Sequence, residues 1–431
     1  MLRLIKTLKL LQGRLIMKPF YFTLVLMLAA PLAAEELSKE EYLKEVNKAF
    51  SKIYEATKGK TLSAQLVALE ALSVEYKDNK PVSDLLLQER GTAYSLMGRH
   101  QQALHAFDQH DPNPDELNTA VKNLVTRDAV TAILDASADY QVVMINEAHH
   151  VPQHRVLTYR LLKGLWENGY RYLAFEALAP DAEQELTNNY VHKKSGFYTE
   201  EPLFANLVLY ATELGFKLIS YDYGAEIGTG TEARERSAVK NLREKVFDNE
   251  PDAKMVIHVG YSHINEDGWL AHYLKEALQL DPLTVNQTDF TERSHKRHEP
   301  ESYTWLIENH DFDTPVVLTN NDGAFWSPTP EEYDITVVWP RTEYSLNRPN
   351  WARLDKELIP VNLDWCELQF PCAVEVYRMG EEEEVPADRI IITESSTPIG
   401  IFISESSRLV KVTDSQGKVI NTVTVPLKES D

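Results

Sequence analysis

The chain contains no apolar run long enough to cross a membrane as a helix, which needs roughly 20 residues. The apolar stretch that begins at Phe20 is only about 12 residues long. Five lysines and arginines precede it, and the small residues Ala33 and Ala34 follow it before acids begin at Glu35. This order is typical of a secretory signal, so residues 1–34 are predicted to be a signal peptide, with Met17 as an alternative start. The mature protein is expected to be periplasmic or secreted.

Cysteine is scarce, because only Cys366 and Cys372 occur among 431 residues. Neither lies near the predicted cleavage point, so a lipid anchor there is not expected. Two cysteines alone make a poor metal site. In an exported chain, a pair this close in a stretch of predicted strands favours a disulfide bond.

Positive charge is also in deficit, since 44 lysines and arginines face 66 acidic residues and give a formal net charge of −22. Loss of the five positive charges in the signal would take the mature chain to about −27. Nucleic acid and anionic membranes are therefore not expected as partners, because binding phosphates needs a positive surface. The 43% of hydrophobic residues is typical of a globular protein, and the length favours two or three domains.

Three common catalytic motifs are missing. No His-Glu-x-x-His metal motif occurs, because Asn146 precedes Glu147 and Pro152 follows too soon for one helical face. The Gly-x-Ser-x-Gly nucleophile elbow is absent, and so is a phosphate-binding loop that ends in Gly-Lys-Ser/Thr. These absences exclude the most familiar signatures of metalloproteases, α/β-hydrolases and nucleotide phosphatases.

Hydrophobic periodicity divides the mature chain into three parts. Residues 35–128 have helical spacing, and Ala93 to Asp108 resembles one tetratricopeptide repeat, so this part is predicted to be a helical module that could bind a protein partner. Its histidines His100, His105 and His110 are expected on the surface. Residues 129–345 alternate strand and helix, which predicts an α/β domain whose mainly parallel sheet carries helices on both faces. Residues 346–431 contain only short strand patterns and are predicted to form a small β domain.

Acids and imidazoles follow four successive predicted strands of the α/β part. In an open parallel sheet, ligands bind beyond the carboxyl ends of the strands, so these side chains should meet at one edge. The strand-end residues are Glu147, His149, His150 and His154 after the first strand, Glu176 after the second, Asp222 between Tyr221 and Tyr223 after the third, and His258, Tyr261 and His263 at the end of the fourth.

Each of these residues also has an ordinary structural explanation. Glu147 could cap the following helix, His154 could face solvent, and His258 could be a satisfied core histidine. Glu176 is harder to explain that way, because a carboxylate at the end of an apolar strand needs a partner. Four such strand ends in a row nevertheless favour a functional site.

The motifs resemble those of the superfamily that joins erythromycin esterase-like proteins with ChaN-like haem-binding proteins and Tiki proteins. Members typically have Gly-Glu-x-His or Gly-Glu-x-x-His after the first strand, a Glu that ends the second, and Gly/His-x-x-His after a later strand. The matching segments are Asn146-Glu147-Ala148-His149-His150, Phe175-Glu176-Ala177 and Gly260-Tyr261-Ser262-His263. The continuation Pro152-Gln153-His154 looks more like the ChaN side. Asn146 stands where members usually have glycine. The adjacent histidines fit both spacings, because His149 matches the ChaN-like spacing and His150 matches the esterase-like spacing.

The first functional hypothesis is a hydrolase acting on an ester, lactone or amide. A histidine of the first cluster, His149 or His150, would be the general base, oriented by Glu147 or Glu176. His263 or His258 would stabilise developing charge or protonate the leaving group. A metal-assisted variant would use Glu147, His149, Glu176 and His263 as ligands of zinc, manganese or iron.

Two alternatives stay open from the sequence. The resemblance to ChaN-like proteins implies a haem- or iron-complex-binding protein, with His154, His258 or Tyr261 as the cofactor-binding residue. The third hypothesis is an assembly module built on the repeat-like helices. The expected ligand is thus a small-molecule substrate or haem, and the cofactor is a divalent metal, haem or neither.

Overall fold

The structure, a computed structural model, describes residues 39–109, 116–186, 190–225, 230–380, 384–394 and 398–426. The predicted signal peptide 1–34 and His110 lie outside the described residues. The helices are α1 Lys39–Thr57, α2 Leu62–Glu75, α3 Lys80–Leu96, α4 His100–Asp108, α5 Ala129–Ser137, α6 Gln153–Glu167, α7 Ala182–Glu185, α8 Pro202–Leu214, α9 Thr231–Leu242, α10 Leu270–Leu278 and α11 Glu301–Asn309. The strands are β1 Val125–Asp128, β2 Val142–Glu147, β3 Tyr172–Phe175, β4 Lys217–Ser220, β5 Met255–Gly260, β6 Leu283–Phe290, β7 Val316–Thr319, β8 Ile335–Val338, β9 Tyr344–Ser345, β10 Arg348–Pro349, β11 Glu357–Pro360, β12 Cys372–Arg378, β13 Asp388–Ile392, β14 Gly400–Ile403, β15 Ser407–Thr413 and β16 Val419–Thr424.

The centre of the molecule is an eight-stranded sheet with the order β1-β7-β8-β6-β2-β5-β3-β4. The run from β8 to β4 is parallel, and β7 and β1 add antiparallel pairings at one edge. The predicted α/β class with a mainly parallel sheet is therefore confirmed. The strands β2, β5 and β3 lie side by side, so their carboxyl ends meet at one edge of the sheet.

Helices cover both faces of this sheet, as predicted. Because successive strand residues point to opposite faces, Val143 and Ile145 of β2 enter one apolar core with α5, α6 and α8. Val142 and Met144 enter the other core with α9 and α10. The bounds predicted for α8 agree with the structure, because Glu201 caps its start and Gly215, in a left-handed conformation with φ 96°, ends it.

The amino-terminal part is a module of α1 to α4 with its own apolar core. The turn between α3 and α4 passes through Gly98, whose φ of 72° favours glycine. The prediction of helix over all of 35–128 is wrong at its end, because β1 pairs with β7 in the central sheet. His105 is exposed as predicted, but His100 is buried, since its ring packs edge-on against Trp351 at 5.0 Å.

The carboxyl-terminal part contains a four-stranded antiparallel sheet, β13-β12-β15-β16, and the two-stranded pair β11-β14. The predicted strands and the disulfide bond between Cys366 and Cys372 are both found there. Among the described residues, no helix is both long and apolar enough to cross a membrane.

Candidate active site

Glu147 ends β2 on the same face of the sheet as Ile145, the face that α6 covers. His258 lies opposite Ile145 in β5, and its Nε2 is 2.9 Å from Glu147 Oε2. The other ring nitrogen of His258, Nδ1, is 2.9 Å from the hydroxyl of Thr158 on α6. Two adjacent parallel strands and one covering helix thus bring these three side chains together.

Arg155 neutralises Glu147 from the first turn of α6. Its Nε donates to Glu147 Oε2 at 2.7 Å, one terminal nitrogen donates to Oε1 at 3.0 Å, and the other donates to Glu201 at 2.9 Å. Burial alone would raise the pKa of Glu147, but Arg155 and the hydrogen bonds from His149 and His258 lower it well below its usual value. Glu147 is therefore an ionised carboxylate inside the protein.

Glu176, at the end of β3, is the second buried carboxylate. Its Oε2 accepts the Gly260 N–H at 2.6 Å, and its Oε1 accepts from Arg234 of α9 at 2.7 Å. Arg234 also binds Asp222, which follows β4, through two nitrogens at 2.9 and 2.5 Å. The ends of β3, β4 and β5 are joined by this one guanidinium.

His149 lies between the two carboxylates. Its Nδ1 is 2.8 Å from Glu147 Oε1, and its Nε2 is 3.9 Å from Glu176 Oε2. The ring of Tyr198 stacks on the imidazole at a centroid distance of 4.0 Å, and Tyr261 meets it edge-on at 5.4 Å. The side chain is 3% exposed. This histidine is oriented on one nitrogen by a carboxylate and has the other directed towards a second one.

Gly260 is required at this site by close packing, not by its backbone angles. A Cβ at this position would lie 2.4 Å from His149 Nε2 and 2.9 Å from Glu176 Oε2. We expect Gly260→Ala to lower the free energy of unfolding by about 1–3 kcal/mol, because overpacking forces neighbouring side chains to shift. Urea denaturation would measure this, and the double variant with His149→Ala should recover part of the loss. Equal stability of Gly260→Ala and the unmodified chain would contradict the packing argument.

Glu176 should also make stability depend on pH. Burial alone would raise its pKa, but His263, Arg234, His149 and the Gly260 N–H lower the pKa to about 2. A carboxylate with a lowered pKa stabilises the fold above its ordinary value of 4.5, and this contribution is lost as the pH falls towards 2. We expect the stability difference between the unmodified chain and Glu176→Gln, from urea denaturation, to shrink over that window. A difference that does not change with pH would contradict this.

His263 lies beside Glu176 but has other partners. Its Nδ1 is 2.8 Å from Glu235 Oε1, and its Nε2 is 3.0 Å from a terminal nitrogen of Arg234. Its Nε2 is 3.6 Å from Glu176 Oε1. Burial alone would lower the pKa of His263, but Glu235 and Glu176 raise it. In the neutral ring with Nδ1–H donating to Glu235, Nε2 accepts from Arg234 and helps to hold it in place.

The predicted site residues His150 and His154 make their contacts with groups other than Glu147 and Glu176. The His150 ring stacks on Phe107 of α4 at 3.4 Å, and its Nδ1 is 3.1 Å from the Tyr261 hydroxyl. Burial lowers the pKa of His150 well below 6.5. His154 is fully buried, not exposed to solvent, and its Nδ1 accepts the Ala148 N–H at 2.9 Å. Of the adjacent histidines, His149 contacts both carboxylates and His150 faces the helical module.

Asn146, which stands where the resemblance implies glycine, has a structural role. Its Nδ2 donates to the Tyr261 carbonyl at 3.0 Å and to Asn286 Oδ1 at 2.9 Å, and its Oδ1 accepts the Gln287 N–H at 2.8 Å. Tyr261 has a φ of 41°, which is uncommon for a residue with a side chain. Asn146 thus ties the end of β2 to β6 and to the strained turn after β5.

The predicted metal ligands do not fit a metal ion. Glu147, His149, Glu176 and His263 are neighbours, but Arg155 contacts both oxygens of Glu147. The two oxygens of Glu176 accept from Arg234 and from the Gly260 N–H. Adding a divalent cation there would place like charges together in a buried site. Among the described residues, no group of three or more His, Cys, Asp or Glu side chains is arranged to hold a metal.

The predicted haem ligands do not fit an axial role as they are placed. Both ring nitrogens of His258 have partners, and the Tyr261 hydroxyl contacts His150. The Nε2 atoms of His150 and His154 lack hydrogen-bond partners among the described residues, but both rings are buried by the packing around them. A haem ligand needs an open position on the iron side of its ring, which these side chains do not offer.

Sequence reasoning did not identify the two cations of the site, Arg155 and Arg234, or the ring of Tyr198 that stacks on His149. A buried carboxylate requires a partner, which predicts that cations must be near Glu147 and Glu176 but not which ones. Arg155 directly follows His154 in the first turn of α6, so its place in the sequence could have identified it as the cation near Glu147. Arg234 and Tyr198 come from segments with no such signal, because only the packing of α9 and of the chain before α8 brings them here.

Comparison with known proteins adds little. No protein family model and no curated protein matches this chain. The type III effector HopBA1 aligns with 52% of this chain and 99% of its own, at 14% identity and a TM-score of 0.32. RRSP, a MARTX toxin effector domain from Vibrio vulnificus CMCP6, aligns with 55% of this chain and 44% of its own, at 17% identity and a TM-score of 0.25. At these TM-scores, neither alignment supports a conclusion about this protein.

Proposed function

We propose that this chain is an exported hydrolase that uses His149 as a general base against an ester, lactone or amide. The observation that carries the proposal is the position of His149, which has Nδ1 on Glu147 and Nε2 near Glu176 in a buried site. An imidazole oriented by a carboxylate on one nitrogen is the usual arrangement of a general base.

Glu147 sets the tautomer of His149 in this mechanism. The Nδ1–H donates to Glu147, so Nε2 carries the lone pair that accepts a proton from water. The water oxygen then bonds to the carbonyl carbon, and the imidazolium returns its proton to the departing alkoxide or amine. Glu147 stabilises that imidazolium, while Arg155 and His258 hold Glu147 in a fixed orientation.

Arg234 is the group best placed to stabilise the negative charge that develops on the carbonyl oxygen. Its side chain is 11% exposed, more than those of Glu147, His149 and Glu176, so it lies on the solvent side of the cluster. Fixed donors aimed at developing charge are an efficient catalytic device because they need no reorganisation. Asp222, Glu176 and His263 fix the guanidinium in place.

The proposal includes membership of the α/β part in the erythromycin esterase-like, ChaN-like and Tiki superfamily. The residues that carry the resemblance, Glu147, His149, Glu176 and His263, all lie at the carboxyl ends of β2, β3 and β5. The charge pattern of residues 1–34 supports export.

The test is a hydrolysis assay of the purified chain with panels of model esters, lactones and amides, with and without a metal chelator. We expect hydrolysis of at least one class of substrate. Because two guanidinium groups occupy the carboxylates, we expect the chelator to leave the rate of hydrolysis unchanged. Glu176→Gln should lower the rate. No hydrolysis in any panel would reject the proposal, and a loss with chelator that added metal restores would replace it with a metal-dependent mechanism.

A further inference from the structure

We propose a second ligand site, for a small multivalent oxyanion, in a groove between the helical module and the loop after β6. This basic groove has a volume of about 630 Å³ and is lined by α2, α3, α4 and the segment around Arg297. Its walls carry four lysines and arginines and three aspartates. The chain as a whole has the opposite bias, with 66 acidic residues against 44 basic ones.

Two of the three aspartates already have partners. Lys80 Nζ lies 3.0 Å from both carboxylate oxygens of Asp84, which forms a neutral pair. Asp108 accepts the backbone N–H of Ser294 at 2.5 Å and ties the end of α4 to the loop after β6. With Lys80 and Asp84 paired, Lys77, Arg90 and Arg297 face Asp78 and Asp108, so the groove keeps an excess of one positive charge that can attract an anion.

Arg90 is the residue that points most directly to an anion. Its Nε is buried and has no hydrogen-bond partner among the described residues. The Nδ1 of His298, on the opposite wall, is also buried and also has no hydrogen-bond partner among the described residues. Leaving a buried N–H without an acceptor is costly, most of all on a charged group. An oxyanion would satisfy the guanidinium, whose planar donors match phosphate and carboxylate geometry.

The size and lining of the groove define the class of ligand. Its volume lies within the range of about 300–1,000 Å³ that is typical of small-molecule sites. The walls are mainly polar and charged, which disfavours an apolar ligand. The shared chemistry is therefore a small molecule with several phosphate or carboxylate oxygens.

The groove is also connected to the candidate active site through α4. His105 and Asp108 line it, and between them Phe107 stacks on His150, the neighbour of His149. Gly91 of α3 leaves room for the Phe107 ring, since a Cβ there would lie 2.4 Å from it. A ligand that shifts α4 would act on the site through this contact, whereas binding in the groove does not depend on the proposed hydrolase activity.

The test is isothermal titration calorimetry of the full chain with inorganic pyrophosphate and with citrate at low ionic strength. We expect Arg90→Gln and the double variant Lys77→Gln/Arg297→Gln to bind roughly tenfold more weakly or worse, because each lost charged hydrogen bond is worth about one decade. The matched control is Arg127→Gln, because Arg127 lies on β1, is 41% exposed and pairs with Asp135 of α5. It should bind as the unmodified chain does.

Tighter binding of pyrophosphate than of citrate would mean that the groove binds phosphorylated molecules. Tighter binding of citrate would mean that it binds carboxylates. Either result supports an oxyanion site if the groove variants lose binding. Binding of neither probe by the unmodified chain would overturn the proposal, and so would binding that the groove variants and Arg127→Gln retain equally. The double variant changes two surface side chains, so its result stands even if Arg90→Gln fails to fold.

Discussion

Replacing His149 with glutamine is expected to lower kcat/KM for hydrolysis by about a hundred- to ten-thousandfold, the usual contribution of a general base. The amide can still hydrogen-bond to Glu147, but it cannot accept a proton from water at the position of Nε2. Steady-state kinetics with the best substrate from the ester, lactone and amide panels would measure the change, and circular dichroism would show that the variant is folded.

The adjacent histidine provides the matched control. His150 is as buried as His149, but its ring faces Phe107 and Tyr261 instead of the carboxylates. We expect His150→Gln to lose less than about tenfold, a change that small shifts in site geometry can cause. If His150→Gln lost activity and His149→Gln kept it, the assignment of the base would be wrong.

Much of the site's location followed from the sequence because parallel strands align their ends. Glu147, Glu176 and His263 follow three predicted strands, and the order β2-β5-β3 places those strand ends side by side. Strand alternation also explains why Glu147 and His258 share a face. These relations depend on the period of the strand and on the direction of pairing, both of which can be read from the chain.

Other features depend on contacts between distant segments and could not be predicted. His149 and His150 are adjacent, and the packing of Tyr198 on His149 and of Phe107 on His150 decides which ring meets the carboxylates. β1 pairs with β7 across about 190 residues and is mostly exposed, so it had no hydrophobic strand pattern. His100 is buried because Trp351 packs on it, although its own helix is amphipathic.

Arg155→Gln is expected to destabilise the chain by about 3–5 kcal/mol, the usual cost of removing one partner from a buried ion pair. Arg155 is 1% exposed and binds both Glu147 and Glu201, so its loss leaves two buried carboxylates without their cation. The matched control is Arg236→Gln, because Arg236 also binds two glutamates, Glu232 and Glu276, but is 50% exposed. Solvent screens that exposed network, so its loss should destabilise the chain far less than the loss of Arg155.

The pH dependence of this loss separates charge from packing. In the unmodified chain, Arg155 keeps the pKa of Glu147 low against the effect of burial, so Glu147 stabilises the fold at neutral pH. Without Arg155, burial dominates and raises the pKa of Glu147, and folding then favours the protonated acid. The deficit of Arg155→Gln in urea denaturation should therefore be smaller near pH 4.5 than at pH 7. An equal deficit at both pH values would mean that Arg155 stabilises the site by packing over Phe204 and not by neutralising Glu147.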